Sequence, residues 1–155
     1  MRFKPTCASA RLGTVSTLEH AIALAAKAHA GQVDKAGAPY VLHALRVMLR
    51  VSTTEERIAA VLHDVVEDTG WTLELLRAEG FSDVVVAAVD ALTRRSHEDY
   101  ETFVRRAAAN PIARRVKLAD LQDNSDLSRI ATPTESDYER LERYRRAITL
   151  IEGGG

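Results

Sequence analysis

Cysteine is nearly absent from this 155-residue chain: Cys7 stands alone. That excludes an intrachain disulfide framework and a cysteine-rich zinc site, and it suits a reducing compartment. Aromatic residues make up only 5%. With Ala, Leu, Val and Arg abundant, helix is favoured over sheet. Charge of one sign is lacking too, since 21 basic residues face 22 acidic ones for a net charge of −1. No global basic field points to nucleic acid or to a membrane surface. No apolar run approaches the roughly 20 residues that span a bilayer. Residues 1–16 lack the apolar core of a secretion signal; being basic and free of acids, they faintly resemble a transit peptide but read more simply as a loose tail. The expectation is a cytoplasmic protein with a flexible tail at 1–15 and one domain at 16–152. Oligomeric state leaves no signature in the sequence.

What is present is helical punctuation. Ser16-Thr17-Leu18-Glu19 and Thr53-Thr54-Glu55-Glu56 match capping boxes, and Pro39 suits a first helical position. Thr72 and Ser82 open further helices, and Asn110-Pro111 separates two more. Glu135 to Ile151 closes the chain with Leu141, Tyr144, Ile148 and Ile151 on one face. No segment alternates like a half-buried strand. The reading is an all-α bundle of about seven or eight helices. Paired arginines such as Arg94-Arg95 and Arg145-Arg146 read mostly as solvated faces.

The densest chemistry lies in Val61-Leu62-His63-Asp64-Val65-Val66-Glu67-Asp68-Thr69. On a continuous helix, His63 would stack with Glu67 and Asp64 with Asp68. Three acids so close repel one another unless a cation sits among them. A second stretch, Lys117-Leu118-Ala119-Asp120-Leu121-Gln122-Asp123-Asn124, puts Asp120, Asp123 and Asn124 on one helical face. A third embeds His43 in the apolar run Tyr40-Val41-Leu42-His43-Ala44-Leu45. Taken alone, His43 reads as a core histidine, as do His20 and His29, whereas His97 lies in a polar, exposed turn. Together, His43, His63, Asp64 and Asp120 would offer two imidazoles and two carboxylates, a set suited to Mn, Fe, Co or Zn. The alternative pairs the two aspartates with arginines on neighbouring helices.

These segments resemble the HD-domain metal-dependent phosphohydrolases, and more narrowly the hydrolase domain of RelA/SpoT-type proteins and the stand-alone small alarmone hydrolases. The likeness is carried by Ala28-His29-Ala30-Gly31-Gln32, Pro39-Tyr40-Val41-Leu42-His43, Leu62 to Thr69, Leu92-Thr93 and Lys117-Leu118-Ala119-Asp120, in order, across roughly Ser16 to Asn124. It implies an all-α fold and a Mn²⁺ ion held by His43, His63, Asp64 and Asp120. It further implies that Glu67 and Asp68 orient and activate the attacking water, that Lys35 and Asn124 contact the nucleotide, and that the reaction removes pyrophosphate from the 3′ position of (p)ppGpp.

Five positions depart from the family pattern, among them Leu121 where the family carries an arginine and Leu127 where a threonine is frequent. Asp34 stands where the family carries an arginine, Asp123 where it carries a histidine, and Asp126 where an arginine is frequent. Read from sequence, these acids surround the nucleotide pocket and disfavour a polyanion, so an arginine at 34 is expected to improve (p)ppGpp hydrolysis. A less anionic nucleotide, another phosphate ester, or a nucleotide-binding module without turnover stays open beside the alarmone reading.

Overall fold

The computed structural model describes residues 15–154. The tail at 1–14, including Cys7, lies outside them. Among the described residues there are eight α-helices of six residues or more: α1 (Leu18–Ala28), α2 (Val41–Leu49), α3 (Thr54–Leu62), α5 (Leu73–Ala78), α6 (Asp83–Leu92), α7 (Tyr100–Ala109), α8 (Pro111–Asn124) and α9 (Glu135–Gly153). A single turn, α4 (Val65–Asp68), and a 3₁₀ segment at Leu127–Arg129 complete the set. Among these residues the only extended pairing is an isolated antiparallel bridge between Val33 and Pro39. The all-α expectation holds.

α3 is the axis. Ile58, Ala59, Ala60, Val61 and Leu62 are all buried. The second half of this helix is apolar on every side and must be enclosed by others, and α1, α2, α6 and α8 pack around it. α8 serves two cores. Ala113, Val116 and Ala119 join the main cluster around α3, while Leu121 joins Val104, Ala147 and Ile151 in a second cluster between α7, α8 and α9. With both flanks committed to packing, the remaining face of α8 carries the buried polar residues Lys117, Asp120 and Asp123.

Local signals were read with small shifts. Thr53 and Glu56 form the expected capping box. At α1 the cap is Thr17, which accepts from the His20 backbone N–H; Ser16 instead donates to the Glu79 carbonyl, tying the chain to the end of α5. Pro39 lies outside α2 because its segment pairs with residues 32–34: the Asp34 N–H donates to Ala38 O and the Tyr40 N–H to Gln32 O. Gly37, with φ of +81°, makes the turn that this pairing requires. Asn110 caps α8, its side chain accepting from Ile112 and Ala113, and Pro111 fills the first turn.

Candidate metal centre and substrate pocket

The main correction concerns His63 and Asp64. The two do not lie on one continuous helix with Glu67 and Asp68. α3 ends at Leu62, and His63 and Asp64 form the corner before α4. The reason is local. A buried helix end must satisfy its last carbonyls, and the His63 Nδ1–H donates to Ala60 O at 2.7 Å. That bond stops α3 and aims Nε2 the other way. The His63 Nε2 is buried and meets no aligned hydrogen-bond partner, although Asp64 Oδ2 stands 2.8 Å away.

A buried ring nitrogen with no aligned partner calls for a ligand, and its neighbours are of the right kind. Donor atoms of His43, His63 and Asp120 lie within 4.8 Å of one another, all three residues buried. His43 Nε2 is 3.2 Å from Asp120 Oδ1, and His63 Nε2 is 3.6 Å from the same oxygen. Asp64 stands beside this trio, its Oδ2 2.8 Å from His63 Nε2 and 4.0 Å from His43 Nε2. The four residues fit a divalent cation in donor type. Both imidazoles carry their other nitrogen in a hydrogen bond, His63 to Ala60 O and His43 to Asp123 Oδ2 at 2.7 Å. That is how metal-ligating histidines are oriented.

Both oxygens of Asp120 and one of Asp64 have hydrogen-bond partners. Lys117 Nζ donates to Asp120 Oδ2 at 2.9 Å, and Asn124 Nδ2 donates to Asp120 Oδ1 at 2.6 Å. The Tyr40 hydroxyl donates to Asp64 Oδ2. Burial alone would raise the Asp120 carboxyl, but the Lys117 ammonium and the two histidines hold it well below the usual carboxylate range. Burial and the Asp64 carboxylate push the Tyr40 phenol far up, so it remains a donor.

Glu67 and Asp68 are solvent-exposed on α4. Glu67 Oε2 accepts the backbone N–H of Arg94 at 2.9 Å. Asp68 is raised by burial, then by the Asp64 and Glu67 charges. Its backbone carbonyl accepts from Gln32 Nε2, and Gln32 Oε1 accepts from the His29 Nδ1–H at 2.7 Å. His29, read from sequence as a structural residue, is buried and packs its ring 4.8 Å from that of Tyr40, so it braces the site without entering the trio.

A cavity of about 340 Å³ opens beside His43. Lys35 and Asn124, expected as nucleotide contacts, line it together with Tyr40, Arg129, Arg140 and Tyr144. Burial and the Arg140 guanidinium push the Lys35 ammonium down, which marks two cations gathered at one end. Asp34 and Asp126 also line the cavity, where the resemblance places them. Asp123 does not. It is buried beneath His43 and bound by Arg46. Asp34 is neutralised by Arg129, with Nη1 to Oδ2 at 3.1 Å. In the sequence, Arg129, Arg46 and Arg140 do not stand out, and Tyr144 shows only as part of an apolar face and Lys117 only as part of a motif. Lys117 at three residues before Asp120 and Arg46 at three after His43 carried a helical-spacing signal; Arg129, on the 3₁₀ segment, carried none.

This donor set, at a helix corner of an all-α bundle, could hold a divalent cation, and comparison with known proteins names the family. The HD-domain family profile matches residues 21–146, so the chain belongs to the HD-domain family. Among its relatives, a probable GTP pyrophosphokinase of Mycobacterium leprae is 32% identical over 135 residues, 77% of this chain and 17% of the relative. A guanosine-3′,5′-bis(diphosphate) 3′-pyrophosphohydrolase of Aquifex aeolicus is 32% identical over 119 residues, 69% of this chain and 17% of the relative. The chain thus spans about a sixth of the length of these curated relatives. A solved structure of a metazoan ortholog of SpoT, described as hydrolysing ppGpp, shares the fold with a TM-score of 0.72 at 24% identity, covering 92% of this chain and 89% of that one. No helix among the described residues is long and apolar enough to cross a membrane.

Proposed function

We propose that this protein is a metal-dependent phosphohydrolase acting on a nucleotide, and specifically a guanosine-3′,5′-bis(diphosphate) 3′-pyrophosphohydrolase. The observation that carries this reading is the convergence of His43, His63 and Asp120 from three separate elements, with His63 Nε2 buried and without an aligned hydrogen-bond partner. Several relatives bear that pyrophosphohydrolase name, including one of Haemophilus influenzae at 31% identity over 129 residues. Relatives under the kinase name and under the pyrophosphohydrolase name alike are several times longer than this chain, so the choice between the two activities rests on the metal-type site.

His43, His63 and Asp120, with Asp64 as the fourth donor, would hold the cation, which we take to be Mn²⁺, with Fe, Co or Zn as alternatives that the donor set also suits. When bound, such an ion supplies Lewis-acid stabilisation of phosphoryl oxygens and a more acidic water. The remaining work falls to side chains. Asp68, raised by burial and by two neighbouring carboxylates, is suited to accept the proton of the attacking water. Glu67, anchored through one oxygen on the Arg94 N–H, has its second oxygen free to align that water. Water then adds to the 3′-linked phosphorus, the bond to the ribose 3′ oxygen breaks, and the proton passes to that oxygen, leaving a nucleoside diphosphate and pyrophosphate. Lys35 and Arg140 offer cations to the substrate phosphates, and Asn124 offers an amide.

The test is product analysis after incubation with Mn²⁺ and ppGpp beside a panel of other nucleotides and phosphate esters. Pyrophosphate and GDP from ppGpp support the assignment. Turnover of another compound alone keeps the metallohydrolase and replaces the substrate. No turnover with metal bound points to a binding module.

A further inference from the structure

Asp123 is buried to 1% exposure, yet touches neither the trio's shared centre nor the cavity. Its Oδ2 accepts the His43 Nδ1–H at 2.7 Å. Arg46 clamps both of its oxygens, with Nε to Oδ1 at 2.9 Å and Nη2 to Oδ2 at 3.1 Å. Arg129 Nη2 donates to the Asp123 backbone carbonyl at 3.0 Å and reaches Oδ2 at 3.3 Å, and Arg50 approaches Oδ1 at 3.8 Å. Arg129 also spends Nη1 on Asp34, in the cavity wall. Asp34 in turn holds its own loop, Oδ1 accepting from the Ala36 and Ala38 backbone N–H groups at 2.9 and 3.0 Å. A continuous polar path therefore runs from the cavity wall at Asp34 through Arg129 and Asp123 to His43.

Four features of this path are informative. The bond to Nδ1 leaves the His43 Nε2 lone pair facing Asp120 and His63. The carboxylate is held from two sides, so the ring cannot rotate without breaking charge-assisted bonds. Two arginines neutralise two buried or half-buried acids, so the path adds no net charge beside the trio. And it joins residues 77 to 95 positions apart in sequence, which simple helix capping would not require.

We propose that Asp123 is a positioning residue that fixes the imidazole of His43 for metal binding, and that Arg129 couples it to the cavity wall at Asp34. The inference rests on the metal reading above. Asp123 lies outside the ligand set, so its effect is indirect and must be read in metal affinity.

The experiment is isothermal titration of metal-free protein with Mn²⁺ alone, comparing wild type with D123N, D34N and R46Q/R129Q, each checked for native helix content. D123N keeps the side-chain shape but turns an amide toward Arg46; it should weaken Mn²⁺ binding about tenfold or more, the range found for groups that orient metal-bound histidines. D34N touches no ligand, and should weaken binding about threefold through the coupling alone. A folded D123N that binds Mn²⁺ within twofold of wild type overturns the positioning role, whatever its melting temperature. Unchanged affinity in D34N removes the link to the cavity. Should D123N fail to fold, R46Q/R129Q loosens Asp123 without deleting it, and unchanged affinity there overturns the proposal equally. Wild-type protein that binds no Mn²⁺ overturns the metal reading and this inference with it, whereas wild-type binding with silent variants overturns the inference alone.

Discussion

Replacing Lys117 by Met isolates the electrostatics of the site from its packing. The Lys117 ammonium is buried at 9% exposure, lies 2.9 Å from Asp120 Oδ2 and sits 4.8 Å from the centre of the Phe103 ring. Asp120 itself is 5% exposed. Met matches the length and apolar stem of Lys, so little volume changes. What changes is that Asp120 loses its nearest cation while still buried. Breaking a buried pair from one side costs about 3–5 kcal/mol. At roughly 2–4 °C per kcal/mol for a domain of this size, the melting temperature should fall by about 10–15 °C in chelator. Saturating Mn²⁺ changes the outcome. A dication beside Asp120 restores the missing compensation, and the repulsion it would have felt from Lys117 is gone. The deficit should then shrink to about 1–2 kcal/mol. Differential scanning calorimetry with EDTA and with Mn²⁺ gives both numbers. An equal loss in the two conditions, or a loss below about 1 kcal/mol in EDTA, would refute the reasoning that Lys117 compensates a carboxylate shared with a cation.

Asp64→Ala should lose Mn²⁺ affinity and hydrolysis together, read by titration and by pyrophosphate release; retained affinity would remove Asp64 from the ligand set. Glu67→Ala should keep the metal and lose turnover by about 10²–10⁴-fold, and normal kcat would cancel its role in aligning water. Asp34→Arg should lower kcat/KM for ppGpp, because it sets a third guanidinium against Arg129 and Arg46 and removes the carboxylate oxygen that accepts two loop N–H groups; a gain would restore the simple charge argument. Arg106 binds Glu98 through two bonds and also reaches the Asp90 and Thr93 carbonyls at the end of α6. The Arg106 hydrogen bond and then the Arg95 backbone N–H hold the Glu98 carboxyl down to about 2. A depressed carboxylate stabilises the fold above its unfolded pKa and loses that contribution as pH falls, so wild type should lose stability between about pH 5 and pH 2 more steeply than Glu98→Gln. Parallel acid-denaturation curves would contradict this.

Much of the fold was legible because it is written in local chemistry. Thr53 with Glu56, Thr72, Ser82 and Asn110-Pro111 each announce a helix start by satisfying orphan N–H groups, and those starts are observed. The all-α class followed from the same signals. The corner at His63-Asp64 was not legible, because it depends on a side chain capping the end of a buried helix, and burial of that end is a tertiary fact. The Val33–Pro39 bridge escaped for a similar reason: its pairing is closed by backbone groups flanking a proline.

The candidate site shows the same division. His43, His63, Asp64 and Asp120 could be chosen from sequence by their resemblance to a family pattern, and three of them converge within 4.8 Å. The acids at 34, 123 and 126 could be counted but not placed. Charge counting assigned all three to repulsion of a polyanion. In space, Asp123 is beneath His43, and Asp34 is spent on Arg129. Arg129 supplies a cation from a 3₁₀ turn whose position no periodic pattern foretells. A carboxylate's effect on a ligand depends on which cation already holds it, and that pairing is set by packing between α2, α8 and the segment after it.

The measurement that tests the central claim most directly is metal occupancy against rate. Protein stripped with chelator is titrated with Mn²⁺, and bound metal and pyrophosphate release from ppGpp are followed in the same samples. The account predicts one tightly bound ion per chain and a rate that rises in proportion to occupancy from a stripped baseline near zero. Full activity in the stripped protein, or saturation with Mn²⁺ and no pyrophosphate from ppGpp, would contradict it.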